Sequence, residues 1–415
     1  MSLTVDEAVA ISLERSFRVQ RSERNAEIAD LQVDNARAGL RPRFDSHLRV
    51  GQSQSYSEFS GSSHRFTDLT PDFSASVNAV ASMPIDIWGV TKRRVEQAEN
   101  ARDSVNINLE QSALEVAVQV RSNYVRALQS KGRTDANRAV LREIETLIDR
   151  ASSEQPSIVP FLESERDLAT QQLNGSETEF ELAVARLTQS MRVPTSTHLV
   201  LESDLPQPIV LPSDDRLFAI ASQNRTDLRQ AEINLDQARL RRDQAEDVRR
   251  PTLGVDLFAD QGVTGRSPLF GDRDSGRSLA VGVAARLDIP LLQYDGGILR
   301  NSRKVADIQA EQALADHAEA FERTENELDQ LLISLKRLRE RLDTLPDINL
   351  AESSLRTAER ALLAASPSGA SATLAQVTNA RENLRRARLA RTDTLAEYDS
   401  NVILLSRAIG RDLYE

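Results

Sequence analysis

Residues 41–94 read RPRFDSHLRVGQSQSYSEFSGSSHRFTDLTPDFSASVNAVASMPIDIWGVTKRR, and residues 250–304 read RPTLGVDLFADQGVTGRSPLFGDRDSGRSLAVGVAARLDIPLLQYDGGILRNSRK. Both open on Arg-Pro, at Arg41-Pro42 and Arg250-Pro251. Each then alternates apolar and polar residues, passes a Ser/Gly/Asp-rich loop and alternates again. Each second run ends at a proline (Pro84, Pro290), an aromatic (Trp88, Tyr294) and glycine (Gly89; Gly296, Gly297). Basic residues follow: Lys92, Arg93 and Arg94 in one copy, Arg300, Arg303 and Lys304 in the other.

Leu253, Val255, Leu257 and Ala259 alternate with Thr252, Gly254, Asp256 and Phe258. Leu279, Val281, Val283, Ala285, Leu287 and Ile289 alternate with smaller or polar residues, and the first copy repeats the pattern more weakly from Phe44 to Val50 and from Phe73 to Met83. Period-two alternation over about ten residues is what a barrel strand needs, with lipid on one side and water on the other. Four strands cannot close a barrel, and open edges are not tolerated in lipid. Closure therefore needs further copies, and three would supply about twelve strands. Trp88 and Tyr294, with Arg93, Arg94 and Arg300 beyond them, sit where an aromatic girdle and headgroup-facing cations belong. The competing reading is a pair of amphipathic hairpins on a soluble domain.

A shift of 209 lays residues 10–42 over 219–251 without a gap, with ten identities, among them Asn25/Asn234, Leu31/Leu240, Asp34/Asp243 and Arg41/Arg250. The chain is thus read as a duplicated unit. Residues 1–193 form the first repeat, with a helix over 5–38, a hairpin over 41–88 and helices over 91–152 and 161–191. A Pro-rich connector spans 194–212. Residues 213–415 form the second repeat, with a helix over 213–248, a hairpin over 251–294 and helices over 299–363 and 374–409. The 91–152 segment would be about 90 Å long as one helix. Pro346 predicts a break in its counterpart. Small apolar stripes such as Leu374, Val377, Ala380 and Leu384 suit coiled-coil packing. The fold class is mainly α with a membrane β-barrel part.

The net charge of −11 argues against a nucleic-acid partner. With no cysteine, disulfides, thiol catalysis and Cys-ligated metal are excluded. No apolar run is long enough for a transmembrane helix. No leader is visible, and Met1-Ser2-Leu3 reads as a start joined to a trimmed mature chain. His47, His64, His198 and His317 form no motif, and Asp272-Arg273-Asp274 reads as a solvated loop rather than a cation site. No catalytic signature is present, so neither an enzyme nor a cofactor or metal is expected.

Several local runs, taken in order and twice, resemble the TolC family of outer membrane efflux proteins. They are Leu3-Thr4-Val5-Asp6-Glu7-Ala8-Val9, Ala36-Arg37-Ala38-Gly39-Leu40-Arg41-Pro42, Met83-Pro84-Ile85-Asp86-Ile87-Trp88-Gly89 and Ile289-Pro290-Leu291-Leu292-Gln293-Tyr294-Asp295-Gly296-Gly297. The resemblance implies a homotrimer whose barrel lies in the outer membrane and continues into a periplasmic helical tube. It implies docking on a periplasmic adaptor and an inner-membrane pump, as the exit duct of a tripartite efflux or type I secretion system. In this family the closed end of the tube is formed by helix turns, often with inward aspartates. The family's acidic positions fall here on Gln376 and Asn379, with Thr373 beside them and Glu163 on the other turn. A cation-binding aperture is therefore in doubt. The alternative is a soluble or periplasmic helical scaffold, or an adaptor, without a pore.

Overall fold

The structure, a computed structural model, describes residues 2–61, 64–194, 197, 199–201, 204–247, 250–266, 275–288, 297–364, 370–411 and 413. In chain order the elements are β1 (Ser2–Leu3), α1 (Val5–Arg15), α2 (Phe17–Ala38), β2 (Arg43–Gly61), β3 (His64–Ile85), α3 (Val90–Glu154), a 3-10 turn (Pro156–Ile158) and α4 (Val159–Ser190). There follow β4 (Val200–Leu201), α5 (Asp214–Asn224), α6 (Thr226–Asp247), β5 (Thr252–Arg266), β6 (Ser275–Asp288), α7 (Ile298–Asp343), α8 (Ile348–Leu363) and α9 (Ala370–Ile409). They fall into two compact units, residues 1–25, 105–232 and 316–415, and residues 26–104 and 233–315. Each unit draws on both halves of the sequence.

The first unit is helical. Thr4 caps α1 in a reciprocal box, its hydroxyl accepting from the Glu7 amide while the Glu7 carboxylate accepts from the Thr4 amide. The helices expected over 5–38 and 213–248 are each broken, at Ser16 and at Arg225, where the backbone turns extended (ψ 113° and 123°). Neither site holds a proline or glycine. The Ser16 hydroxyl accepts from the Val19 amide at 3.4 Å and the Asp227 carboxylate from the Leu228 amide at 2.9 Å, so side chains take amides at the start of each following helix. The break expected near Pro346 separates α7 from α8, and Asp347 caps α8 through the Asn349 amide at 2.9 Å. α3 runs uninterrupted through Gly132, where a Cβ would come within 2.7 Å of Thr392 on α9. Close helix approach thus explains a glycine in mid-helix.

The three largest apolar clusters among the described residues lie in this unit. One surrounds Tyr124, whose hydroxyl donates to the Leu3 carbonyl at 2.9 Å. A second surrounds Tyr398, which donates to the Ile209 carbonyl at 3.1 Å. The third joins Leu147 and Ala151 of α3, Leu162 of α4, Leu355 and Leu362 of α8, and Val377 and Leu384 of α9. The short parallel pair β1–β4 sits beside the first.

The second unit carries an antiparallel sheet in the order β2-β3-β5-β6. β2 and β3 run for 19 and 22 residues, well beyond the alternating stretches that announce them. The long loop expected in the first hairpin is replaced by a continuing ladder, in which Gly61 pairs with His64.

Candidate functional site

The strand registers decide which residues share a face, because partners across a ladder point to the same side. Phe44 pairs with Ala81, Ala81 with Leu257, and Leu257 with Val283. Leu48 pairs with Val77, and Ala79 with Ala259, which pairs with Val281. One face therefore gathers the apolar residues of all four strands. These side chains are open to the outside: Leu48 is 72% exposed, Val281 74% and Val283 70%. The opposite face carries Arg43, Asp45, His47, Arg49, Asn78, Asp256, Asp260 and Arg286. An apolar face of this extent marks a surface meant for lipid or another molecule. Among the described residues no helix is long and apolar enough to cross a membrane.

At the base of the sheet Gly89 adopts φ +70° and starts α3, and Gly297 (φ +95°) precedes α7. Pro84 lies in the paired part of β3 against Gly254, and Asp86 caps α3 by accepting from the Lys92 amide at 2.9 Å. Trp88 is half exposed, and the Arg250 guanidinium lies 5.9 Å from its ring centroid. Arg94 and Arg300 are exposed. Arg93 is instead turned inward: its guanidinium donates to both oxygens of Asp247 at 2.6 Å and to the Trp88 carbonyl at 2.9 Å. Tyr294, Pro290 and Gly296 lie outside the described residues, as do His198 and the Asp272-Arg273-Asp274 loop.

Near the start of α9 Gln376 and Asn379 are exposed, one turn apart and flanking the buried Val377. Glu163 is exposed on α4, and Thr373 is half-buried on α9. Between α4 and α9 lies an ion pair that sequence reasoning missed. Arg381 donates to one oxygen of Glu165 at 2.7 Å, and the Thr378 hydroxyl donates to the other at 2.6 Å. Arg381 is only 4% exposed, and among the described residues its Nε and Nη2 find no hydrogen-bond acceptor. The signal was available: Leu374, Val377, Arg381 and Leu384 follow one helical stripe, so a guanidinium occupies a core position. Nearby, burial pushes the Glu359 carboxyl above its ordinary range, against the pull of Arg381 and with the push of Glu143. No group of side chains suited to holding a metal occurs among the described residues.

Residues 9–189 match the family model described as outer membrane efflux protein. No curated protein matches the sequence. Among solved structures, the chain is similar to the outer membrane protein VceC of Vibrio cholerae, with 17% identity, 98% of this chain and 96% of that one covered, and a TM-score of 0.70. It is also similar to the outer membrane channel MtrE of Neisseria gonorrhoeae in its open state, with 16% identity, 99% and 89% covered, and a TM-score of 0.73. The outer-membrane channel OprN gives 15% identity, 98% and 89% covered, and a TM-score of 0.76. The sequence match is confined to residues 9–189, while the likeness of fold to these outer membrane channels extends over nearly the whole chain: residues 9–189 carry the sequence of an outer membrane efflux protein, and the chain has the fold of the outer membrane channels it is similar to.

Proposed function

We propose that three copies of this chain close about twelve strands into one barrel, and that the assembly is a passive exit duct for solutes crossing the periplasm and outer membrane. The observation that carries this reading is the single apolar face across β2, β3, β5 and β6, with β2 and β6 left as open edges. Unpaired backbone groups at such edges cannot be left in lipid, so each edge must meet the other edge of a further copy. The polar face, with Asp45, Arg49, Asp256 and Asp260, then lines water. Trp88, Arg94 and Arg300 anchor the barrel at its periplasmic rim. A soluble scaffold gives the apolar face nothing to do.

Gln376, Asn379, Thr373 and Glu163 narrow the periplasmic mouth in the closed state. A periplasmic adaptor, itself bound to an inner-membrane pump, opens the mouth by preferring the open arrangement of the helix ends. The cargo is conducted unchanged, and this chain supplies no chemistry to it.

The experiment is a pair of neighbouring substitutions. Val283→Arg puts a charge on the lipid face at a cost of about 2–4 kcal/mol near the bilayer midplane. It should abolish recovery from the outer membrane fraction. Ala284→Arg, one residue on and on the water face, should be tolerated. Equal tolerance of both, or recovery of the unaltered protein as a soluble single copy, would sink the barrel.

A further inference from the structure

The duplication gives one chain two versions of the same seam, one made and one unmade. Within the chain, α6 meets α3 through polar groups. Arg93 pairs with Asp247, Gln244 donates to Gln97 at 2.9 Å, and Arg229 pairs with Glu110. The shift of 209 carries Asp247, Gln244 and Arg229 onto Ala38, Asn35 and Gln20 of α2. The long helices also begin alike. The amide four residues beyond each positive-φ glycine, of Arg93 or of Asn301, donates to the glycine carbonyl at 2.9 and 3.0 Å. Counting from those glycines carries Arg93, Gln97 and Glu110 onto Asn301, Val305 and Ala318 of α7. Both ion pairs and the amide pair of the internal seam are thus replaced by Ala38 with Asn301, Gln20 with Ala318, and Asn35 with Val305, none of which can form an ion pair.

The unmade seam is open and apolar. On α2 the residues Ile28, Leu31, Asn35 and Ala38 recur at helical spacing on one exposed face. On α7 Ile298, Asn301, Val305 and Ile308 do the same, with Ile298 68% exposed. Their internal counterparts, Gln237 and Leu240 on α6 and Val90, Gln97 and Asn100 on α3, are partly covered.

We infer that these two faces are the seam between copies, α2 of one packed on α7 of the next, and that it is held by apolar and amide contacts where the seam inside each chain is held by charge. This rests on the trimeric reading above. The repeat relation makes the contact head-to-tail, the kind of interface that closes a ring. Salt therefore weakens the exposed Arg229–Glu110 pair of the internal seam, hardly touches the buried Arg93–Asp247 pair, and finds no counterpart of either between copies.

The chain has no cysteine, which makes the test direct. Asn35→Cys with Val305→Cys, oxidised in detergent-solubilised full-length protein, should link different chains into a covalent trimer on a non-reducing gel. Gln97→Cys with Gln244→Cys should close only within one chain. A first pair that stays unlinked, or links within its own chain, while the second closes would overturn the seam. A single-copy mass by light scattering of the unaltered protein in detergent would instead overturn the trimer itself. A second variant needs no cysteine: Ala38→Asp with Asn301→Arg transplants the internal ion pair. It should raise the temperature at which the trimer dissociates on a gel by a few degrees, and neither single variant should show that gain. An unchanged dissociation temperature would count against the seam.

Discussion

Asp247 holds the Arg93 guanidinium with both carboxylate oxygens although 154 positions separate them in sequence. The Asp247 side chain is 5% exposed, and Arg250 approaches it from the other side at 3.2 Å. The pair ties the exit of the first hairpin to the entrance of the second. Asp247→Asn keeps the shape but leaves two arginines facing a neutral amide. Breaking a buried pair from one side costs about 3 kcal/mol or more. Thermal unfolding in detergent should register that loss, and an unmoved midpoint would show that the pair is idle.

Glu165 and Arg381 make a second buried pair, and here the asymmetry between breaking and replacing is testable. Glu165→Gln leaves Arg381 charged in a site that already fails to satisfy its Nε and Nη2. A loss of about 3–5 kcal/mol is expected. Replacing both, Glu165→Leu with Arg381→Leu, extends the apolar stripe of Val377 and Leu384 and should recover most of it. A double variant as unstable as the single one would mean that the pair also fixes the register of α4 on α9.

Glu359 supplies the pH dependence. Burial raises its pKa in the folded state, so the folded chain holds this proton more tightly than the unfolded one. Its contribution therefore rises as pH falls toward the ordinary carboxylate range and is lost as pH climbs above the raised value. Glu359→Gln should stabilise the protein at neutral pH and flatten the stability profile over that window. Equal slopes for the two proteins would assign the pH dependence elsewhere.

Gln376 and Asn379 are exposed, so their removal should touch conductance without touching stability. Gln376→Ala with Asn379→Ala is expected to raise spontaneous opening several-fold in planar bilayers at an unaltered melting temperature. Identical open times would remove both residues from the constriction.

Much of this architecture could be read from residue order. Alternation in 252–259 and 279–288 marks a sheet with one wet and one greasy face, and Pro346 marks a helix break. The breaks at Ser16 and Arg225 could not be read, because neither residue disfavours helix strongly; at Arg225 the partners Glu327 and the Ala408 carbonyl come together only in the fold. Arg93 looked like one more headgroup-facing cation of a basic patch, and its partner lies in the other repeat. The continuation of β2 to Gly61 was hidden because a ladder tolerates polar residues once its first rungs are set. At the helix ends, Glu165 and Arg381 passed as ordinary surface charge until the heptad positions were counted in three dimensions.

The sheet's two bare margins have a consequence for the life of the protein before it reaches its destination. A lone, freshly exported copy offers a row of ungratified amides and carbonyls on β2 and another on β6. Each row is a template for stacking without end. Overproduction should therefore yield fibrous precipitate unless those rims are masked until the copies meet.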